Sequence, residues 1–285
     1  MPRTYSELYI AVRNRLREAG IEAAELEGKL ITATAAGKTT EKFLRDLRFY
    51  ATDEVERRAE SMLKRRLAGE PVAYITGIWE FRGLPMEVTP AVLIPRVDTE
   101  VLAEAAINWL HGRKMDARVL DLCSGSGCIG CAIADALPQT RVVVSDVSPE
   151  AMDVSRRNVN RNGLEGRVSF MLADVTKQPP IMTGSFDLVV SNPPYIPTFD
   201  ILTLEPSVRD YEPVWALDGG DDGLDFYRAI LKNWKGVIRQ GGMLMFEVGE
   251  DQAADVKDLM RMAGLHDAQS ILDTRGVERV VTAKA

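Results

Sequence analysis

Leu8, Val12 and Leu16 recur at helical spacing near the start of the chain, as do Leu26, Leu30 and Ile31, so residues 4–70 read as all helix. Thr52 precedes Asp53 and Glu54 as an N-cap with acids in the first turn. Gly69, with Pro71 just beyond, marks a stop. The pattern then changes. Tyr74-Ile75-Thr76-Gly77-Ile78-Trp79-Glu80-Phe81, followed by Arg82-Gly83-Leu84-Pro85 and Met86-Glu87-Val88, reads as a short hairpin over 74–90. From about residue 98, helices and strands alternate: helix 98–111, strand 118–122, a Gly-rich turn 123–127 and a helix to about 137. Strand 141–145, helix 149–162 and strands 168–172 and 186–191 follow, then a helix near 224–239, strand 243–248 and helix 251–263. Runs around 267–273 and 277–283 are close enough to pair as a hairpin. Strands joined by crossover helices predict a mostly parallel sheet covered on both faces, into which the closing hairpin places one antiparallel strand. The expected class is α/β, Rossmann-like. Residues 1–72 form a helical domain, 73–92 a connector and 93–285 the main domain.

Composition narrows this picture modestly. A chain of 285 residues builds one large or two modest domains. With 46% hydrophobic and 27% charged residues it is an ordinary globular composition. No apolar run is long enough for a membrane span. The first residues lack an apolar secretory core, and Glu7 and Glu18 argue against a transit peptide, so the cytoplasm is the expected location. A monomer is expected. The net charge of −7 disfavours duplex DNA or bulk RNA as a partner. The charge is uneven, for residues 1–70 carry 14 Lys/Arg and 12 Asp/Glu. Residues 200–225 hold eight acids against the single base Arg209. That segment suits a basic protein substrate and equally a solvated loop.

Cys123, Cys128 and Cys131 fall within nine residues. A redox pair or half a zinc site is the sharp reading. Zinc needs about four ligands, and the two histidines, His111 and His266, are distant in sequence. Three small buried residues around a turn is the reading kept. Ala35-Ala36-Gly37-Lys38-Thr39 resembles a phosphate loop, but Thr32 stands where the earlier glycine is required.

The turn Asp121-Leu122-Cys123-Ser124-Gly125-Ser126-Gly127 lies between a strand and a helix. Its glycines permit positive φ and close approach of backbone to a ligand, and the helix offers free N–H groups. Residues 125–130 spell G-x-G-x-x-G, and Asp146 follows Gly125 by 21 positions at the end of the next strand. A carboxylate there can grip ribose hydroxyls. This much fits NAD(H) as well as S-adenosylmethionine. Asp121 tips the balance, since D-x-x-x-G-x-G is the methyltransferase form of the turn. Asp174 ends the following strand, where a carboxylate can accept from an adenine NH2, and Val175 can cover the ring. A bare βα turn, a helix-terminal charge at Asp146 and a loop cap at Asp174 are the plainer alternatives.

Asn192-Pro193-Pro194-Tyr195 follows the apolar strand 186–191. Two prolines forbid continuation as strand, so the chain becomes a stiff extended loop with one amide at its start. Asn192 can donate and accept. The carbonyls of Pro193 and Pro194 lack local N–H neighbours and are free to accept. This combination suits an incoming NH2 group and points to methyl transfer to an amide or amino nitrogen.

Several blocks together resemble the release-factor glutamine methyltransferases, the HemK/PrmC family. They are Leu93-Ile94-Pro95-Arg96-Val97-Asp98-Thr99-Glu100, the 121–127 turn, Asn192 to Tyr195, the run from Tyr211 to Leu224 and Phe246-Glu247-Val248-Gly249. Asn-Pro-Pro-Tyr alone is shared with DNA adenine methyltransferases; the I-P-R-x-D-T-E block and the EP…AL-x-GG-x-DGL block are more specific. The resemblance implies a class I S-adenosylmethionine-dependent methyltransferase with a helical substrate-recognition domain. It implies methylation of the glutamine amide in the Gly-Gly-Gln loop of peptide chain release factors, a step tied to translation termination. The resemblance also implies that Asp121, Cys123, Ser124, Gly125, Ser126, Gly127, Asp146, Asp174, Val175 and Asn192 hold the cofactor. S-adenosylhomocysteine would be the product. Asn192, Pro193, Pro194 and Tyr195 are then the substrate-binding residues, with Asn192, Pro193 and Tyr195 catalytic. Asn192 and the Pro193 carbonyl would accept the two amide hydrogens while Tyr195 packs on the amide plane. Arg96, Asp98, Thr99 and Glu100 are read either as a wall near the methionine end or as a helix cap. Two departures stand out: Cys123 where the family usually has Gly, and Val97 where it often has Pro. The alternatives are a ribosomal-protein glutamine methyltransferase, a nucleic-acid amino-methyltransferase, an NAD-dependent dehydrogenase and a catalytically silent binding module.

Overall fold

The computed structural model describes residues 2–113 and 116–285; Met1, the first residue of the expected helical domain, lies outside them with Lys114 and Met115. The chain divides into two compact units. One comprises residues 1–78 together with 205–211, the other residues 79–204 and 212–285.

The first unit is helical, with α1 (Tyr5–Glu18), α2 (Ala24–Ala35), α3 (Thr40–Arg45), α4 (Asp53–Leu67) and α5 (Val72–Thr76). Thr4 and Glu7 make a reciprocal capping box at α1, and Leu8, Val12 and Leu16 form its buried stripe. Thr52 caps α4 as the sequence predicts. Acids open α4 and Lys64, Arg65 and Arg66 close it, which complements the helix dipole. Tyr74, Ile75 and Thr76 correct the expected hairpin, for they form the end of α5 rather than strand. Pro71 sets the entry to that turn and Gly77, at φ 75°, closes it in the left-handed conformation. The caps outweigh the β-branched and aromatic composition.

In the second unit β1 (Ile78–Phe81) and β2 (Leu84–Glu87) make the shorter hairpin that remains. α6 (Val97–Leu110) leads into β3 (Arg118–Leu122), α7 (Cys128–Ala136), β4 (Arg141–Asp146), α8 (Pro149–Arg161), β5 (Val168–Leu172) and β6 (Phe186–Ser191). The short α9 (Pro206–Arg209) belongs to the first unit. α10 (Asp225–Asn233), β7 (Ile238–Glu247), α11 (Ala253–Met262), β8 (His266–Leu272) and β9 (Glu278–Lys284) complete the chain. α10 is shorter than expected and β7 begins earlier. A 3-10 turn over Lys235–Val237 ends the helix, and Ile238 already pairs with Phe186.

The seven strands run in the order β5-β4-β3-β6-β7-β9-β8. β3 pairs in parallel with both β4 and β6, and only β9 runs antiparallel to its two neighbours. Alternation along β3 sends Val119 to one apolar layer, with Leu102, Ile133 and Val144, and Leu120 to the other, with Tyr227, Trp234 and Phe246. Both faces are thus covered. Strand order reverses at β3, and the crevice beyond the carboxyl ends of β3 and β6 is the topological switch point where open α/β sheets take ligands.

Candidate active site

A cavity of about 280 Å³ opens at that switch point. Its floor is the turn after β3. Cys123 and Gly125 adopt left-handed φ values of 55° and 52°. The Ser124 N–H donates to the Ser145 carbonyl of β4 at 3.0 Å, which pins the turn across the sheet. Gly127 sits where a Cβ would come within 2.3 Å of the Ser155 Oγ, and at Gly130 a Cβ would meet Val144 Cγ1 at 2.5 Å. These two glycines let α7 close on its neighbours, whereas a Cβ on Gly125 would meet nothing within 4 Å. Gly125 also lines the cavity, so the backbone there is open to close approach.

The acids at the strand ends play different parts. Asp146 Oδ2 accepts from the Gly125 N–H at 2.8 Å and Oδ1 from the Ser148 N–H at 3.0 Å. Burial raises its pKa, opposed by those backbone donors. Each oxygen keeps a lone pair for a further donor. Asp174 Oδ1 accepts from the Thr176 N–H and hydroxyl at 2.9 and 2.6 Å, and the Thr176 hydroxyl is the main reason its pKa is lowered. Asp121 lies beneath the turn and is wholly buried. Its Oδ2 accepts from the Gly130 N–H at 2.9 Å, and burial pushes its pKa up to about 8.

Asn192 follows β6, on the other side of β3 from β4, and also lines the cavity. The Ser191 hydroxyl donates to the Leu122 carbonyl at 2.8 Å, tying the end of β6 to β3 just before the loop. Asn192 Nδ2 donates to the Thr99 Oγ1 at 3.2 Å. Among the described residues, nothing donates to Asn192 Oδ1 or to the carbonyls of Pro193 and Pro194. The Tyr195 hydroxyl reaches Glu247 Oε1 at 3.5 Å, and the Tyr195 carbonyl accepts from Gln252 Nε2 at 2.9 Å. The 217–223 segment clamps this loop: the Ile196 N–H donates to the Leu217 carbonyl at 2.9 Å and the Gly219 N–H to the Ile196 carbonyl at 2.8 Å.

Cys123, Ser124, Gly125, Ser126, Asp146, Asp174, Val175, Asn192 and Pro194 line the cavity together. Asp121, Gly127, Pro193 and Tyr195 sit outside that lining and support it from behind. Of the Arg96–Glu100 block only Thr99 lines it. Arg96 pairs with the buried Glu212, which also accepts from the Ile94 N–H at 3.1 Å; Asp98 pairs with Arg275 at 2.9 Å; and Glu100 accepts from the Arg82 N–H at 2.8 Å. The block therefore both walls the cavity and anchors itself. Phe226 and Trp215 also line the site, and Glu247 and Gln252 brace the loop. These four had no role in the sequence reading. Phe246-Glu247-Val248-Gly249, a quoted block without an assigned task, was the available signal for Glu247.

The three cysteines are unpaired, and Cys128 and Cys131 are buried on α7. Among the described residues no group of three His, Cys, Asp or Glu is placed to hold a metal. The acidic stretch 200–225 is not one free surface, because Asp222 pairs with Arg228 at 2.5 Å, Asp218 accepts from the Thr198 hydroxyl at 2.6 Å and Glu212 is buried. Among the described residues no helix is long and apolar enough to cross a membrane.

The family model "Methyltransferase small domain" matches residues 99–201, and "PrmC N-terminal domain" matches residues 7–77. A release factor glutamine methyltransferase of Geobacter sulfurreducens is 41% identical over 269 residues, 94% of this chain and 92% of that protein. One from Agrobacterium fabrum is 36% identical over 98% of this chain and 96% of its own length. Among solved structures, a methyltransferase from Pyrococcus furiosus superimposes with a TM-score of 0.52 at 17% identity, covering 79% of this chain and 98% of that one, a likeness of fold.

Proposed function

This chain belongs to the release factor glutamine methyltransferases, and from that membership we propose that it methylates the side-chain amide nitrogen of the glutamine in the Gly-Gly-Gln loop of peptide chain release factors, with S-adenosylmethionine as donor. The observation that carries the reading is the meeting of three strand ends: Asp146 at the end of β4, the turn after β3 and Asn192 just after β6, with β3 between the other two, all contribute to one cavity.

The residues present suit that cofactor. Asp146 keeps one lone pair on each oxygen for a vicinal diol. Gly125 leaves open space at the turn. Val175 and Phe226 offer apolar cover for an adenine ring, and Asp174 Oδ2, which among the described residues meets the exposed Lys177, remains able to accept from its NH2. When bound, S-adenosylmethionine supplies an activated methyl group on a sulfonium.

A glutamine amide nitrogen is a poor nucleophile, because its lone pair is delocalised into the carbonyl. Asn192 Oδ1 and the Pro193 carbonyl accept its two hydrogens, turn the lone pair toward the donor and stabilise positive charge growing on nitrogen. Tyr195, behind the lining, holds the loop in place through its hydroxyl on Glu247 and its carbonyl on Gln252. No base is needed beforehand, since the proton becomes acidic only after transfer. The helical unit serves recognition of the protein substrate, and the cytoplasm is the location this reading expects.

Incubation with labelled S-adenosylmethionine and, separately, release factor, ribosomal protein and DNA tests this. Label in release factor that disappears when the Gly-Gly-Gln glutamine is replaced supports it. Label confined to ribosomal protein or to DNA overturns it.

A further inference from the structure

Asn192 can serve only one way round. An amide oxygen facing the substrate accepts hydrogens; an NH2 there repels them. Thr99 alone does not decide between the two, because a hydroxyl donates as readily as it accepts. Something must dictate where the Thr99 proton goes. Ser191 pairs with Phe246 across β6 and β7, so Glu247 stands level with Asn192 on the adjacent strand. Alternation turns Glu247 away from the Phe246 layer and toward the α6 face, which carries Thr99. Glu247 is 1% exposed, and its Oε2 is buried with no hydrogen bond among the described residues. An ionised carboxylate so placed demands a donor.

We propose that Glu247, acting through the Thr99 hydroxyl, fixes the Asn192 amide with its oxygen toward the cavity. Glu247 is thus a positioning residue, and the proposal rests on the amide-methylation reading above. With Glu247 charged, the Thr99 hydroxyl directs its hydrogen to the carboxylate in a hydrogen bond and has only lone pairs left for Asn192. Asn192 must then turn its NH2 to Thr99, which is the orientation seen at 3.2 Å. A protonated Glu247 can donate to Thr99 instead, freeing the hydroxyl proton for Asn192 and releasing the constraint.

Burial raises the Glu247 pKa to about 7, while the Thr99 hydroxyl and Arg279 of β9 favour the charged form and Asp98 of α6 opposes it. Tyr195 also favours the charge, and the neighbouring Cys128 of α7 and Tyr227 of α10 have raised pKa values and stay neutral. The switch therefore lies close to neutrality, with the competent form on the alkaline side.

The test needs no variant at first. The Asn192 side-chain NH2 signals, assigned by their absence from Asn192→Asp, are followed by NMR from about pH 6 to about pH 9. They should shift with a midpoint near pH 7 in the parent and lose that step in Glu247→Gln. In turnover, Glu247→Gln and Thr99→Val should lower kcat on the order of 10–100-fold with KM for the protein substrate nearly unchanged. Thr99→Ser should restore it, and the acid limb of the parental profile should be absent from Glu247→Gln. NMR signals that do not move across the range, or a Glu247→Gln enzyme with parental kcat and parental acid limb, overturn the inference. A parent that labels no release factor rejects the substrate reading instead, and the NMR titration still decides this one.

Discussion

Gly223 lies so close to the Tyr195 carbonyl that a Cβ on it would approach that oxygen to 2.3 Å. Gly219 meets the Tyr195 Cα in the same way, at 2.7 Å. The glycines of the 217–223 segment are therefore the mould in which the Asn192–Tyr195 loop is cast. Gly223 also has φ 74°, which a side chain resists. Gly223→Ala should displace the loop and lower kcat on the order of 100-fold, because sub-ångström placement governs such a reaction. Affinity for S-adenosylhomocysteine, measured by calorimetry, should stay within a few-fold, since Asp146 and the turn are untouched.

The strand ends around the cavity separate binding from chemistry. Asn192→Ala should lose on the order of 10²–10³ in kcat, the usual cost of one well-aimed polar group, and retain most cofactor affinity. Asp146→Ala removes the acceptor of both the Gly125 and Ser148 N–H groups. It should weaken cofactor binding first, visible as a raised KM for S-adenosylmethionine. Calorimetry and steady-state kinetics on the two variants should give opposite patterns.

Much of this site was legible because its parts are local. A strand ending in Asp146, a glycine turn and an Asn-Pro-Pro break each announce themselves within a few residues, and crossover helices order the strands. The role of Glu247 was not legible, because its partners come from α6, the loop after β6 and β9, far apart in sequence. Tyr74–Thr76 misled for the opposite reason: residue types favouring strand were overruled by the Pro71 and Gly77 boundaries.

Phe49 and Tyr50 in the helical unit expose 62% and 66% of their surface. Among the described residues neither ring stacks on another aromatic, and two adjacent exposed aromatics mark a candidate contact surface. If this unit grips the protein substrate, the double variant Phe49→Ala, Tyr50→Ala should raise KM for release factor about tenfold or more. It should leave Tm and cofactor affinity near the parental values. An unchanged KM would move recognition elsewhere.

Cys123 occupies a left-handed conformation, φ 55°. A side chain there costs about 1–2 kcal/mol, and glycine would trade that strain against its own entropy. Cys123→Gly should therefore leave Tm within a few degrees of the parent. Cys123→Val, branched at Cβ, should lower it by several degrees in calorimetry.

Asp121 and Glu247 give stability an uncommon pH dependence. Burial raises their pKa values to about 8 and about 7, well above those of unfolded carboxyls. Between about pH 4 and these values the folded protein holds protons that the unfolded chain has released. The stabilisation from these protonated acids is thus full below about pH 4 and is lost progressively until pH reaches the folded values of about 7 and about 8. Tm should fall from about pH 5 to about pH 8. Asp121→Asn keeps an acceptor for the Gly130 N–H and removes the titrating charge. Its Tm should decline less over the same range, and a decline as steep as the parent's would show that Asp121 is not the group responsible.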